Sequence, residues 1–250
     1  MTSRWFEPPR PRVLAHRGLA IDVPENTLAA FERAVRAGAT YLETDVHVSA
    51  DDAAVLAHDP TLRRVAARPE PVAGLTVEEL RRVDLGGGHG FGTLDELLHA
   101  FPHARLNIDV KTDAAVPAAI EAIRRAGAAD RVLLTSFSDA RRRRLITALP
   151  DAATSAGRSL VLRARAASVT RSAALMRRAT SGLGALQIPE RVGRMTLLSP
   201  ALLTAAHAAG VEVHVWTVND EADMRRLLAL GVDGLVTDRA DLALRVVSQS

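Results

Sequence analysis

Eight times along the chain a short apolar run of extended character gives way to a stretch with helical periodicity, the runs lying near residues 13, 42, 106, 132, 154, 185, 212 and 235. Strands that alternate with helices pair in parallel, because each helix carries the chain back before the next strand begins. Eight such units in 250 residues predict one α/β domain spanning 1–250, an eight-stranded parallel β/α (TIM) barrel. The alternative is an open doubly wound sheet, which the lack of a glycine-rich phosphate loop after the first strand weakens.

Helices are expected at 27–37, 94–100, 114–126, 138–148, 166–180, 199–209, 220–230 and 242–247, several stopped by a glycine such as Gly127, Gly210 or Gly231. Thr93 is the expected cap of its helix, and Asn26 the expected cap of the first one. The faintest strand is 154–158. Residues 60–91, broken by Pro69, Pro71 and Gly86 to Gly88, read as an excursion over the barrel top with one helical piece at 76–82.

A barrel of this kind works at the C-terminal ends of its strands, and His16, Asp45, Lys111, Phe137, Gln187, Trp216 and Asp238 all fall at or near such ends. Within 41–48, Glu43 and Asp45 project from one face with Tyr41 and His47, while Leu42, Thr44 and Val46 take the other. An acidic pair at i, i+2 near a strand end can hold a hard divalent cation through oxygen; on a solvated edge it is an ordinary polar face. With no cysteine in the chain, any metal is held by oxygen or imidazole, which favours magnesium, calcium or manganese. His16 and His58 each end an apolar run, and two imidazoles suit a phosphodiester cleavage, in which one group takes a proton and another delivers one. Along 105–111, Asn107, Asp109 and Lys111 share a face. Lys111 is the chain's one lysine among 32 basic residues, so its site calls for a compact ammonium rather than a planar fork. Trp216 is placed to pack against a substrate's carbon skeleton or to close the pocket floor.

The strings AHRG (15–18), PENT (24–27), LETDV (42–46) and AHDP (57–60) closely resemble the glycerophosphodiester phosphodiesterase family in letters, order and spacing, with weaker echoes at 106–111, 213–219 and 231–238. The resemblance implies a metal-dependent hydrolysis of glycerophosphodiesters to sn-glycerol 3-phosphate and an alcohol. It further implies His16 and His58 as acid and base, and Glu43, Asp45 and a third acid on a later strand as ligands of Mg2+ or Ca2+, with Mn2+ admitted. At that third place the family carries Glu in an E-x-K setting and this chain carries Asp109, one methylene shorter. Arg17 and Lys111 are then left to hold the phosphate oxygens. Two other readings stay open: a lysophospholipid or sphingolipid phosphodiesterase on the same barrel, and a non-catalytic phosphate-binding barrel.

A net charge of +3 and 3% aromatic residues leave little for nucleic acid recognition. No run of about 18 apolar residues occurs, so the expected partner is a small glycerophosphodiester, without stable membrane insertion, in the cytoplasm. Arg141 to Arg144 read as a solvated helix face. His47, His89, His99, His103, His207 and His214 are assigned to surface or packing, and Glu25 stands equally between site and structure.

Overall fold

Alternation along each strand turns every second side chain into a barrel and the others outward against the helices. In the computed structural model, which describes residues 3–170 and 172–249, the strands are β1 (Arg12–His16), β2 (Tyr41–Val48), β3 (Ala54–Leu56), β4 (Arg105–Val110), β5 (Val132–Thr135), β6 (Ala153–Thr154), β7 (Ala185–Ile188), β8 (Arg191–Val192), β9 (Met195–Thr196), β10 (Glu212–Val215) and β11 (Gly234–Thr237). Eight of them run parallel in the order β6-β5-β4-β2-β1-β11-β10-β7. A single bridge between Ser155 and Ala185 draws the two end strands together, with Gly184 N–H donating to Thr154 O at 2.9 Å. The expected eight-stranded parallel barrel is the fold of this chain, nearly closed and in one domain. No helix among the described residues is long and apolar enough to cross a membrane.

Outward-facing Val13, Leu42, Leu106, Ile108, Val132 and Leu134 form the main core with the helices. The first helix, Leu28–Arg36, buries Ala30, Phe31 and Ala34, and Thr27 caps it by accepting from Ala30 N–H. Asn26 is therefore not the cap. It sits one residue earlier at φ +54°, a conformation that frees its side chain for the barrel mouth.

Inward-facing side chains at the opposite end of the barrel make a second core, in which Leu14, Tyr41, Leu133, Ala153 and Val236 close over Trp5 from the N-terminal segment. Trp5 is fully buried and its indole N–H donates to Leu106 O at 3.2 Å. Beside it the buried Arg12 donates to both carboxylate oxygens of Glu212, at 2.6 and 2.7 Å, to the Phe6 and Pro8 carbonyls and to the Tyr41 hydroxyl. Each charge there has a bidentate or multiple partner, the condition under which a buried ion pair is tolerated.

The structure departs from the sequence reading in the second half. The strand expected at 154–158 is only Ala153–Thr154, and a helix Arg158–Thr170 follows, with another at Ala173–Ala179, in place of one helix at 166–180. Position 171 of that expected helix, and positions 1, 2 and 250 of the expected domain, lie outside the described residues. The early start is set from afar: Asp139 accepts from Gly157 N–H at 3.1 Å and from Ser159 N–H at 3.0 Å, an N-terminal anchor supplied by another helix. The excursion at 60–91 is more than a connection, since Leu62, Val72, Leu80 and Phe91 bury a small core of their own with Val55. The arginine run divides. Arg143 and Arg144 are exposed, but Arg142 is buried, and Arg141 reaches Ser136 Oγ at 3.0 Å and Val110 O at 3.2 Å.

Removing the indole plug leaves a cavity at the closed end of the barrel. Trp5→Ala is expected to lower unfolding stability by ~3–5 kcal/mol, read from denaturant midpoints; an unchanged midpoint would show that the plug lies outside the cooperative core.

Candidate active site

The mouth at the strands' C-terminal ends opens into a pocket of about 630 Å3. It takes in the two imidazoles of His16 and His58, the cations Arg17 and Lys111, the carboxylates Glu43, Asp45 and Asp109, and Trp216. All eight side chains singled out from the sequence are thus brought to one place.

Register explains the carboxylates. Glu43 and Asp45 pair across β2 and β4 with Asn107 and Asp109, so Asp45 and Asp109 stand side by side on the inner wall. Lys111, two residues further on, donates to Asp45 Oδ1 and to Asp109 Oδ2, each at 2.6 Å. Its Nζ also lies 5.8 Å from the centre of the Phe137 ring. Arg17 lies in the left-handed region at φ +55° and spreads its guanidinium between Glu25, at 3.0 Å, and Asp45. Its Nε is 3.0 Å from Asp45 Oδ2 but outside hydrogen-bond geometry. Gly18 follows at φ +88°, and a Cβ there would stand 2.6 Å from the Ala30 backbone, so the first motif needs glycine at that turn. Asn26 completes the corner, accepting from Thr44 Oγ1 at 2.8 Å and donating to Asp45 Oδ2 at 3.2 Å.

These contacts divide the protonation states. Burial works against the charge of Asp45, but Lys111 and Arg17 outweigh it and hold its carboxyl below the usual range. Burial pushes Asp109 up. Glu43, buried and next to the charge of Asp45, is pushed up to about 7.

His16 Nδ1–H donates to Asp238 Oδ1 at 2.6 Å, leaving Nε2 on the Glu43 side, 3.9 Å from Oε2. Burial disfavours the imidazolium, yet Glu43 and Asp238 outweigh it and raise the His16 pKa. Asp238 is itself held by Asn219 Nδ2 at 2.7 Å. His58 Nδ1–H donates to Asp59 Oδ1 at 2.8 Å, and His47, buried beneath, donates from Nε2 to the His58 carbonyl at 3.2 Å. Arg64 bridges Asp59 and Glu25, so one chain of contacts joins the loop of His16 to the loop of His58. Each histidine thus has its Nδ1 fixed by a carboxylate.

The donor set fits a hard divalent cation in its chemistry. Asp109 Oδ1 is buried without a partner, and the raised Glu43 marks an excess of negative charge that such a cation relieves. Among the described residues no three acidic or imidazole side chains converge on one point, and the Lys111 ammonium takes up the facing oxygens of Asp45 and Asp109.

The sequence marks the groups that face the pocket but not those that hold them. Asp238 falls at a strand end that by itself gives it no role, and Asn219, Asp59 and Arg64 carry no periodicity that marks them. Asn26 joins the mouth instead of capping a helix. Glu25 is a link between Arg17 and Arg64, and His47 packs as expected, under His58. Trp216, half-buried, packs on the closed-end core, lines the pocket and meets the Phe137 ring edge-on at 6.2 Å.

Two acid-anchored imidazoles over a cluster of carboxylates and cations, at the open end of a β/α barrel, are the layout of an enzyme that cleaves an anionic ester. The chain matches the glycerophosphoryl diester phosphodiesterase family over residues 16–242. It is 38% identical over 231 residues to the probable glycerophosphodiester phosphodiesterase 2 of Mycobacterium tuberculosis, covering 92% of this chain and 88% of that one. It is 28% identical to a glycerophosphodiester phosphodiesterase of Caldanaerobacter subterraneus over 94% and 97% of the two chains. The crystal structure of glycerophosphodiester phosphodiesterase from Agrobacterium tumefaciens superposes with a TM-score of 0.76 at 28% identity, covering 95% of this chain and 99% of that one. The chain belongs to the glycerophosphoryl diester phosphodiesterase family.

Asp238→Asn removes a charge that favours the imidazolium of His16. The His16 titration midpoint is expected to fall, as followed by NMR of its ring protons; an unmoved midpoint would show that Asp238 does not govern this histidine.

Proposed function

We propose that this chain hydrolyses glycerophosphodiesters to sn-glycerol 3-phosphate and an alcohol, with His16 and His58 as the proton carriers. The observation that carries the reading is the pair of carboxylate-anchored histidines in one pocket with Lys111, Arg17 and three acidic side chains. His16, tied at Nδ1, works through Nε2, and His58, tied to Asp59 in the same way, works through its own Nε2. One takes the proton of the attacking hydroxyl and the other supplies the proton that lets the alcohol leave. Lys111 and Arg17 orient the phosphate from the rim of the acidic cluster, and Trp216 gives the glycerol carbons a flat apolar wall. Glu43, Asp45 and Asp109 are the residues that would hold Mg2+ or Ca2+, or Mn2+, a cation that would neutralise phosphate charge.

A second reading has its own support. The pocket also takes in Val161, Leu162, Val192, Met195 and Leu197, an apolar wall that a small head group does not need and an acyl chain does. On that reading the same chemistry acts on a lysophospholipid or sphingolipid, and turnover of lysophosphatidylcholine against glycerophosphocholine decides between them. A barrel that binds phosphate without turnover would fail both assays.

The first test is release of glycerol 3-phosphate from glycerophosphocholine. His16→Ala is expected to lower kcat by ~10²–10⁴-fold, the usual weight of one positioned general acid or base, and EDTA is expected to abolish turnover until a divalent ion is restored. Full activity in either case would remove the histidine or the metal from the mechanism.

Protons and a cation compete for Glu43. Because its folded pKa is raised to about 7, divalent-ion affinity is expected to weaken as pH falls through that value and to level off above it. Calorimetric titration of the ion, without substrate, at a unit above and a unit below reads this directly; equal affinities would take Glu43 out of the ligand set.

A further inference from the structure

Charge is unevenly spread along this chain. Residues 152–199 hold eight arginines, no lysine and one acidic residue, Glu190, so this one segment contributes +7 to a chain whose total is only +3. Glu190 is taken by Arg226 from outside the segment, at 2.9 Å. Arg165 and Arg191 donate to the carbonyls of Thr196 and Arg194, and among the described residues none of the segment's arginines pairs with a carboxylate. Elsewhere many exposed arginines do find one, as Arg125 finds Asp95, Arg225 finds Glu221 and Arg239 finds Asp241.

Exposed apolar side chains gather in the same region. Phe137 is 60% exposed, Leu162 and Val192 48%, and Met195 41%, and all four line the mouth of the pocket. Val192 and Met195 face each other on the β8–β9 hairpin, whose other exposed side chains include Arg191 and Arg194. Guanidinium groups without a carboxylate partner, beside exposed apolar side chains, suit an interface where anionic head groups lie above hydrocarbon.

We propose that this rim is a docking surface for an anionic lipid bilayer, which seats the pocket mouth against the head-group layer. Charge decides against a second copy of the chain, since a two-fold contact through this face sets arginine against arginine. The apolar side chains decide against nucleic acid, whose backbone is met by cations and whose bases are met by stacked aromatic rings; of the four, only Phe137 is aromatic. This inference concerns binding and stands apart from the catalytic reading.

The test is co-sedimentation of the full chain with vesicles of phosphatidylcholine alone and of phosphatidylcholine with phosphatidylglycerol, at low and high salt, with no turnover measured. Binding is expected to the anionic vesicles alone and to be released by salt. Arg191→Gln with Arg194→Gln, on an exposed hairpin, is expected to weaken it about tenfold or more, and Val192→Ser with Met195→Ser to weaken it as well. Arg36→Gln with Arg82→Gln removes the same charge from two paired positions and is expected to change nothing; thermal unfolding of each variant checks that the fold is kept. The proposal is overturned by absence of binding to anionic vesicles, by an equal loss in the control pair, by indifference to the Val192 and Met195 changes, or by duplex DNA bound as tightly as the vesicles in the same salt.

Discussion

The mouth of this barrel is governed by the buried charge of Asp45 and Asp109. Pairing of β2 with β4 in register sets the two acids side by side, and removing carboxylates from water costs several kcal/mol each unless cations answer them. Lys111 answers both at 2.6 Å, and Arg17 is drawn onto Asp45 from the loop after β1. Glu43, buried and beside the charge of Asp45, is pushed up to about 7. A phosphate approaching this cluster meets cations that carboxylates already engage. The divalent ion proposed above would offset the carboxylate charge beside them.

Polar groups at the two ends of the barrel are treated in opposite ways. At the closed end Arg12, Glu212, Tyr41 and His214 bind one another, and Trp5 seals them from water. At the open end Asp109 Oδ1 is left without a partner, and each histidine is fixed through one nitrogen only. Satisfied charge gives stability; groups left in want of a partner, held by neighbours that are themselves satisfied, give a site ready to receive a ligand.

Much of this was legible in the sequence because barrel strands announce themselves locally. An apolar run with polar residues at its end gave β1, β2, β4 and β11, and the face of Glu43 and Asp45 followed from a period of two. What was not legible depends on partners distant in the chain. Asp139 starts the helix at Arg158 from twenty residues away. Asp238 acquires its role only when β11 is laid beside β1, and Arg64 only when its excursion folds back on Glu25. Asn26 read as a cap because Asn and Thr compete for that place, and Thr27 won it by leaving Asn26 free to hold Asp45.

The mouth is also asymmetric, and the asymmetry runs with the chain. Its acids and histidines come from the loops and strands of residues 16–111, while the exposed apolar rim and the arginines without a carboxylate partner come from 137–195. A glycerophosphodiester with a small head group is largely polar and has little use for that exposed rim. Keeping Phe137, Leu162, Val192 and Met195 in water is unfavourable by roughly 25 cal/mol for each Å2 of apolar surface left uncovered, and nothing in the charged cluster requires it. On the readings proposed above, the two halves would answer different demands: the charged half would engage the phosphate, and the apolar half would set the surroundings in which that phosphate is met.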